Sequence, residues 1–250
     1  MIRTALLELA EAAPDPFRGE PDRFFVHLFD VAIGTGLRLG ELRALRWRDV
    51  DRNRRLIRVE RAYSRRELRR PKTEAGVRSV PLFPSVAAAL SELAARTLEC
   101  CRYAPDELVF ATARGTPLHE SNVNRRVWRP ALERAGRILR RRAGEALRSG
   151  DSVRAAELEA SADELARARY RWHDLRHTCV SRLVAAGADV KLVQAVAGHA
   201  SPLITLKRYS HLLDERVTEA ASRFDPGAPR ATYGPRPGEP SPARTTESRD

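Results

Sequence analysis

The chain has 250 residues, with 45 basic against 33 acidic side chains for a formal charge of +12, and three cysteines. That length suffices for one well-buried domain and a small appendage, while the odd cysteine count, with Cys100 and Cys101 adjacent and no Cys-x-x-Cys spacing, argues against a disulfide scaffold or a cysteine metal site. No apolar run approaches the roughly 20 residues that span a bilayer, and the start, MIRTALLELAEAAPDP, carries acids and prolines rather than a secretory core, so a reduced, cytoplasmic chain with no membrane partner is expected.

In chain order, helical spacing predicts helices over Thr4 to Ala12 and Pro21 to Thr35, where Phe24, Phe25, Leu28, Phe29, Ala32 and Ile33 recur on one face. Gly34 and Gly36 interrupt the run before a short helix from Leu39 to Leu45. A polar break at Asp49 to Asn53 precedes three short strands, Leu56 to Ala62, Glu67 to Lys72 and Arg78 to Leu82, forming one small antiparallel sheet. Pro84 opens a helix to Cys100, ELVFAT at 107 to 112 reads as a brief strand, and Glu120 to Gly136 returns to helix. Residues 137 to 171 thread nine arginines and six acids with Ala and Leu, which predicts a helical hairpin broken at Ser149, Gly150 and Asp151. Helices resume at His173 to Ala186, Val190 to Ala197, Pro202 to Tyr209 and Asp214 to Arg223. Residues 225 to 250 contain six prolines and three glycines without apolar periodicity and are expected to be disordered. Their four arginines balance four acids, so the positive excess belongs to the rest of the chain, as in a polyanion binder or simply a basic soluble protein.

Phosphodiester cleavage by a side-chain nucleophile needs a hydroxyl aimed in line, cations for the nonbridging oxygens and proton carriers for the bridging ones. Arginine suits the second task because its planar fork grips two oxygens and stays charged. Arg38, just after a Gly-bracketed turn at a helix start whose free backbone donors suit phosphate, and Arg176 are the candidates. His173 stands three residues before Arg176 and shares its helical face, and His199 follows Gly198 at a helix stop. Lys72 is one of three lysines in an arginine-dominated chain, and lysine can lose a proton near neutrality where arginine cannot. Tyr209 lies in the polar stretch RYSH. Taken singly, each has an ordinary reading: Arg38 a solvated helix residue, His173 and His177 caps or packed rings, His199 a turn histidine, Tyr209 a ring under the last helix.

Together, TGLRLGELRALRW, PKTEAGVRSVPL, HDLRHT, AGHAS and RYSH resemble the signature boxes of the tyrosine recombinase family, the phage-type integrases, over about residues 4 to 223. The resemblance implies a mainly α fold with a small antiparallel β-sheet (α+β), of the kind found in tyrosine recombinase catalytic domains. It implies that Arg38, Lys72, His173, Arg176 and His199 surround a scissile phosphate, that Tyr209 forms a 3′-phosphotyrosyl link, and that Glu41 is a supporting residue that orients the site. No nucleotide cofactor or metal is implied, because the covalent bond keeps the phosphodiester energy. The implied partners are double-stranded DNA and other copies of the chain, a monomer when free and a tetramer on DNA during synapsis, associated with a bacterial or phage nucleoid. Residues 1–224 would then be the catalytic domain, with 137–171 an inserted hairpin and with no helical core-binding domain before it. The rival is a noncatalytic remnant, since DVKLVQAVAGHASPLITLKRYSH also scans as a helix-turn-helix. A type IB topoisomerase-like relaxase shares the chemistry but usually lacks the PKTEAG and GHAS wording.

Overall fold

The computed structural model describes residues 1–12, 23–64, 67–69, 77–99, 103–198 and 201, all within one compact unit spanning Met1–Leu212. Its centre is α2 (Phe24–Thr35), which is apolar nearly all round and buries Val26, Leu28, Phe29, Val31 and Ala32. Such a helix is stable only when covered on several sides. The covering comes from α1 (Ile2–Ala12), α4 (Pro84–Glu99) and α8 (Asp174–Ala185). At its end Gly36 adopts the left-handed conformation, φ +65°, and its amide closes on Ala32 O at 3.0 Å. The chain then reverses into α3 (Leu39–Leu42), shorter than the expected helix to Leu45.

The single sheet expected from the three strand segments is instead two. Strand β1 (Val50–Asp51), within the expected polar break, pairs with β2 (Leu56–Val59), and β2 pairs with β5 (Arg78–Pro81), all antiparallel, while β3 (Ala62–Ser64) and β4 (Glu67–Arg69) form a separate hairpin. The segment read as one strand from Leu56 to Ala62 breaks at Arg61, whose guanidinium turns inward to the buried carboxylate of Asp49 at 3.0 Å. On the inner face of β5, Val80 opposite Ile57 and Arg78 opposite Val59 are both buried. ELVFAT is not a strand: it makes only isolated bridges, Arg46 to Leu108 and Ala111 to Pro117, and it seats Phe110 in the core.

The segment read as a helix from Glu120 to Gly136 begins as α5 (Glu120–Asn122), widens into a π-helical turn over Val123–Trp128, and runs on as α6 (Arg129–Arg148). Pro130 has no N–H to return to the preceding turn, which accounts for the irregular ladder just upstream of it. The expected helical hairpin is present, turned at Ser149 to Asp151 with Gly150 at φ +85°, but its first arm starts at Arg129 rather than Arg137. Asp151 caps the second arm, α7 (Ser152–Arg167), by accepting from the Arg154 amide, and Leu139, Ala143, Leu158 and Ala162 pack between the arms. After α8, α9 (Val190–Ala197) ends at Gly198 in the left-handed region, as expected for a stop before His199. Among the described residues no helix is long and apolar enough to cross a membrane. The expected helices after Pro202 and the expected disordered tail lie outside the described residues.

Helix α3 seats on β3 so closely that a Cβ on Gly40 would fall 2.4 Å from the Tyr63 carbonyl oxygen. Because the obstacle is backbone, no rotamer relieves it. Gly40→Ala should therefore lower stability by about 1–3 kcal/mol, read from the denaturant midpoint; an unchanged midpoint contradicts this packing.

Candidate functional site

Glu41 is the hub of the site. On α3 its carboxylate is only 6% exposed, yet it is fully engaged: Arg78, itself 5% exposed, donates Nη1 to Oε1 and Nη2 to Oε2, both at 2.9 Å. The Arg38 amide donates to Oε2 at 2.8 Å and Arg38 Nη1 to Oε1 at 3.0 Å. Burial pushes the carboxyl upward in pKa, but the hydrogen bonds and charge of Arg78, then those of Arg38, outweigh it and hold the group below its ordinary value. The Arg38 amide is thus spent on Glu41 and is not the free phosphate donor that the helix start predicts. The side chain of Arg38 remains nearly half exposed.

Arg78 also reaches the other end of the site. Its Nε donates to Val196 O, 3.2 Å away in the last turn of α9, where orphan carbonyls favour a cation. A Cβ on Gly198 would lie 2.9 Å from the same guanidinium. Glycine at 198 therefore serves twice, permitting the left-handed turn and leaving room for Arg78.

Helix α8 supplies the third wall. Arg176 is buried and donates Nη1 to Gly36 O at 2.7 Å, bracing the turn that carries Arg38. Cys179, one turn further on, packs its Sγ 3.3 Å from where a Gly36 Cβ would stand, and burial raises its thiol to about 11, so it is a small apolar filler at neutral pH. His173 sits at the start of α8 with its ring edge-on to His177, centroids 5.1 Å apart. Partial desolvation, then the neighbouring charges of His177, Arg176 and Arg38, hold His173 below the ordinary histidine range. The imidazole is consequently neutral near pH 7, able both to accept and to donate a proton.

Of the candidates read from the sequence, Arg38, Glu41, His173 and Arg176 come together here, from segments 135 residues apart. Lys72, His199 and Tyr209 lie outside the described residues. The residue the sequence reading missed is Arg78. Its signal was present in RSVP, where period-2 alternation puts Arg78 on the buried side with Val80, a position that demands a counter-charge. The arrangement presents the exposed part of Arg38 and the His173 imidazole to an anion, with the Glu41 carboxylate already neutralised by Arg78 and Arg38.

The model of the phage integrase family matches residues 5–216. A tyrosine recombinase XerC-like protein of Caldanaerobacter subterraneus is 27% identical over 219 residues, covering 79% of this chain and 48% of that protein. The tyrosine recombinase XerC of Corynebacterium efficiens is 29% identical over 203 residues, covering 80% of this chain and 50% of its own. The chain thus spans about half the length of the curated relatives it matches. Among solved structures, the Tn1549 transposon integrase in complex with circular intermediate DNA superposes with a TM-score of 0.55 at 22% identity, over 88% of this chain and 64% of that one. The XerA recombinase gives 0.51 at 21%, over 90% and 61%. The mainly helical architecture with small antiparallel sheets is the fold of these neighbours.

Removing one side of the buried pair should cost more than removing both. Glu41→Gln strands the Arg78 charge and should destabilise by about 3–5 kcal/mol, whereas Glu41→Leu combined with Arg78→Met should recover most of it. Because the Glu41 pKa is depressed on folding, its contribution is complete above the ordinary value of 4.5 and fades as pH falls through the lower folded value. Denaturation curves from pH 7 to 3 should show wild type losing stability more steeply than Glu41→Gln. Parallel losses, or a double variant as weak as the single, contradict the pairing.

Proposed function

The chain belongs to the phage integrase family, and from that premise we propose that it is a tyrosine-type site-specific recombinase that cleaves and rejoins duplex DNA. The observation that carries the proposal is the gathering of Arg38, Arg176 and His173 within electrostatic reach of one another, with Glu41 and Arg78 locking the turn that carries Arg38. A dianionic transition state needs cations that are already in place, since reorganising them during reaction would raise the barrier.

In this reading residues 1–224 are the catalytic domain. Tyr209 Oη attacks the scissile phosphorus as its proton passes to His173, the P–O5′ bond breaks, and a proton reaches the departing 5′-oxygen from Lys72. The free 5′-hydroxyl of a partner strand later attacks the 3′-phosphotyrosyl bond and returns the tyrosine. His173 and His199 hold or move protons at the phosphate, and Arg38 and Arg176 neutralise its nonbridging oxygens. No metal or nucleotide enters the balance, as bond energy is conserved in the ester. Strand exchange joins two duplexes, so copies of the chain would assemble as a tetramer on nucleoid DNA and separate when free. The helix-turn-helix remnant explains α9 but gives no reason for a buried Glu41–Arg78 pair to hold an exposed arginine beside a neutral histidine.

Nicked duplexes drawn from a randomised pool trap a covalent intermediate because the short cleaved strand diffuses away. Wild type should give an SDS-resistant protein–DNA adduct, and Tyr209→Phe should give none while still retaining DNA. An adduct that survives the change, or that maps to Tyr170 or Tyr233, overturns the proposal.

A further inference from the structure

Helix α6 is charged far beyond the needs of its own fold. It carries seven arginines against two glutamates, while its partner α7 carries two arginines against four acids. Its buried side is fully occupied, Ala135 and Ile138 against Ala5 of α1, and Leu139 and Ala143 against α7. That packing makes it a stiff rod. Along its outer side Arg137, Arg141, Gly144 and Arg148 follow one another at intervals of four, three and four residues, the spacing of a single straight stripe, with Arg134 at its head.

The stripe is incompletely neutralised. Arg134 and Arg141 meet Glu8 at 2.7 and 3.4 Å, and Arg141 also approaches Glu145 at 3.9 Å. Among the described residues no carboxylate pairs with Arg137 or Arg148, and Glu133 is the remaining acid at the margin. No apolar side chain stands in the stripe, so it lacks the anchor a protein interface would need. Gly144 is the second observation. A glycine in the middle of a long helix weakens it relative to alanine, yet nothing in the fold requires one there: a Cβ would meet only the mobile end of Arg148, at 3.5 Å. The result is a bare backbone notch in a row of guanidinium groups.

We infer that this outer stripe of α6 is a second contact surface for double-stranded DNA, gripping the phosphate backbone without reading sequence and separate from the Arg38–Arg176 centre. From Arg137 to Arg148 the stripe rises about 16 Å, about the axial rise of five base steps of a duplex, and its arginines Arg137, Arg141 and Arg148 can each meet one phosphate. Arginine forks suit such oxygens, and the notch at Gly144 lets the strand approach the helix axis closely. The inference rests on the reading of the chain as a DNA enzyme.

The test measures binding of the full chain to a random-sequence 40-bp duplex by anisotropy over a salt series. Replacing Arg137, Arg141 and Arg148 by Gln should lower the slope of log affinity against log salt by about 2 to 3, and replacing them by Lys should keep it. Gly144→Leu changes no charge and substitutes a better helix former, so it should fold at least as stably and still weaken binding several-fold. If wild type binds but the Gln variant keeps its slope and Gly144→Leu its affinity, the stripe is only a solvated face and the inference falls, with the recombinase reading intact. If wild type binds no duplex, both fall. A polyglutamate peptide that displaces the duplex from wild type but not from the Gln variant would assign the stripe to an acidic protein segment and overturn it as well.

Discussion

A carboxylate with almost no access to water, Glu41, receives hydrogen bonds from Arg78 on β5 and from both the amide and the side chain of Arg38. An ion so buried is tolerable only when every lone pair is engaged, so the geometry around it admits little slack. Two elements that never touch in sequence, the turn after α2 and the last strand of the sheet, are thereby fixed relative to each other. Arg78 extends the constraint through Val196 O to the end of α9, and Arg176 closes the circuit by bracing Gly36 from α8. The exposed part of Arg38 and the ring of His173 inherit their positions from these buried contacts.

This construction separates two uses of arginine in a chain with many. Arg78 is a structural ion whose charge is consumed by Glu41, and its guanidinium leaves no room for a side chain on Gly198, whereas Arg176 is buried and braced on Gly36 O beside His173. Arg38 is held by its backbone and one nitrogen of its fork, leaving the remainder to meet an anion. Partial burial, aided by the charges of His177, Arg176 and Arg38, holds His173 below the ordinary histidine range. The same fold that gathers positive charge therefore also supplies a proton carrier within it, without recourse to a further acid.

Much of this was legible because it is local. The three-residue spacing of His173 and Arg176, the apolar period of α2, the glycine stops at Gly36 and Gly198 and the break at Ser149 to Asp151 all follow from helix geometry within a few residues. What escaped depends on contacts across the chain. Arg78 is opposite Val59 only because β2 and β5 pair in that register, and its partner Glu41 lies 37 residues earlier. The division into two sheets turns on Arg61 choosing the buried Asp49 over the strand's outer face, and the early start of α6 turns on Pro130 being accommodated by a widened turn rather than ending the helix. Neither choice is visible in a local pattern. Lys72, His199 and Tyr209 fall outside the described residues.

The central claim is that this buried network holds Arg38 in place to neutralise a phosphate in the transition state. A methylphosphonate at the scissile position removes the nonbridging charge while keeping the bond that breaks, so it separates neutralisation from positioning. Single-turnover cleavage by Arg38→Ala should fall by about 10² to 10³-fold relative to wild type on the phosphodiester, and that deficit should largely vanish on the methylphosphonate. A deficit of equal size on both substrates would contradict the claim, since Arg38 would then be acting on something other than the phosphate charge.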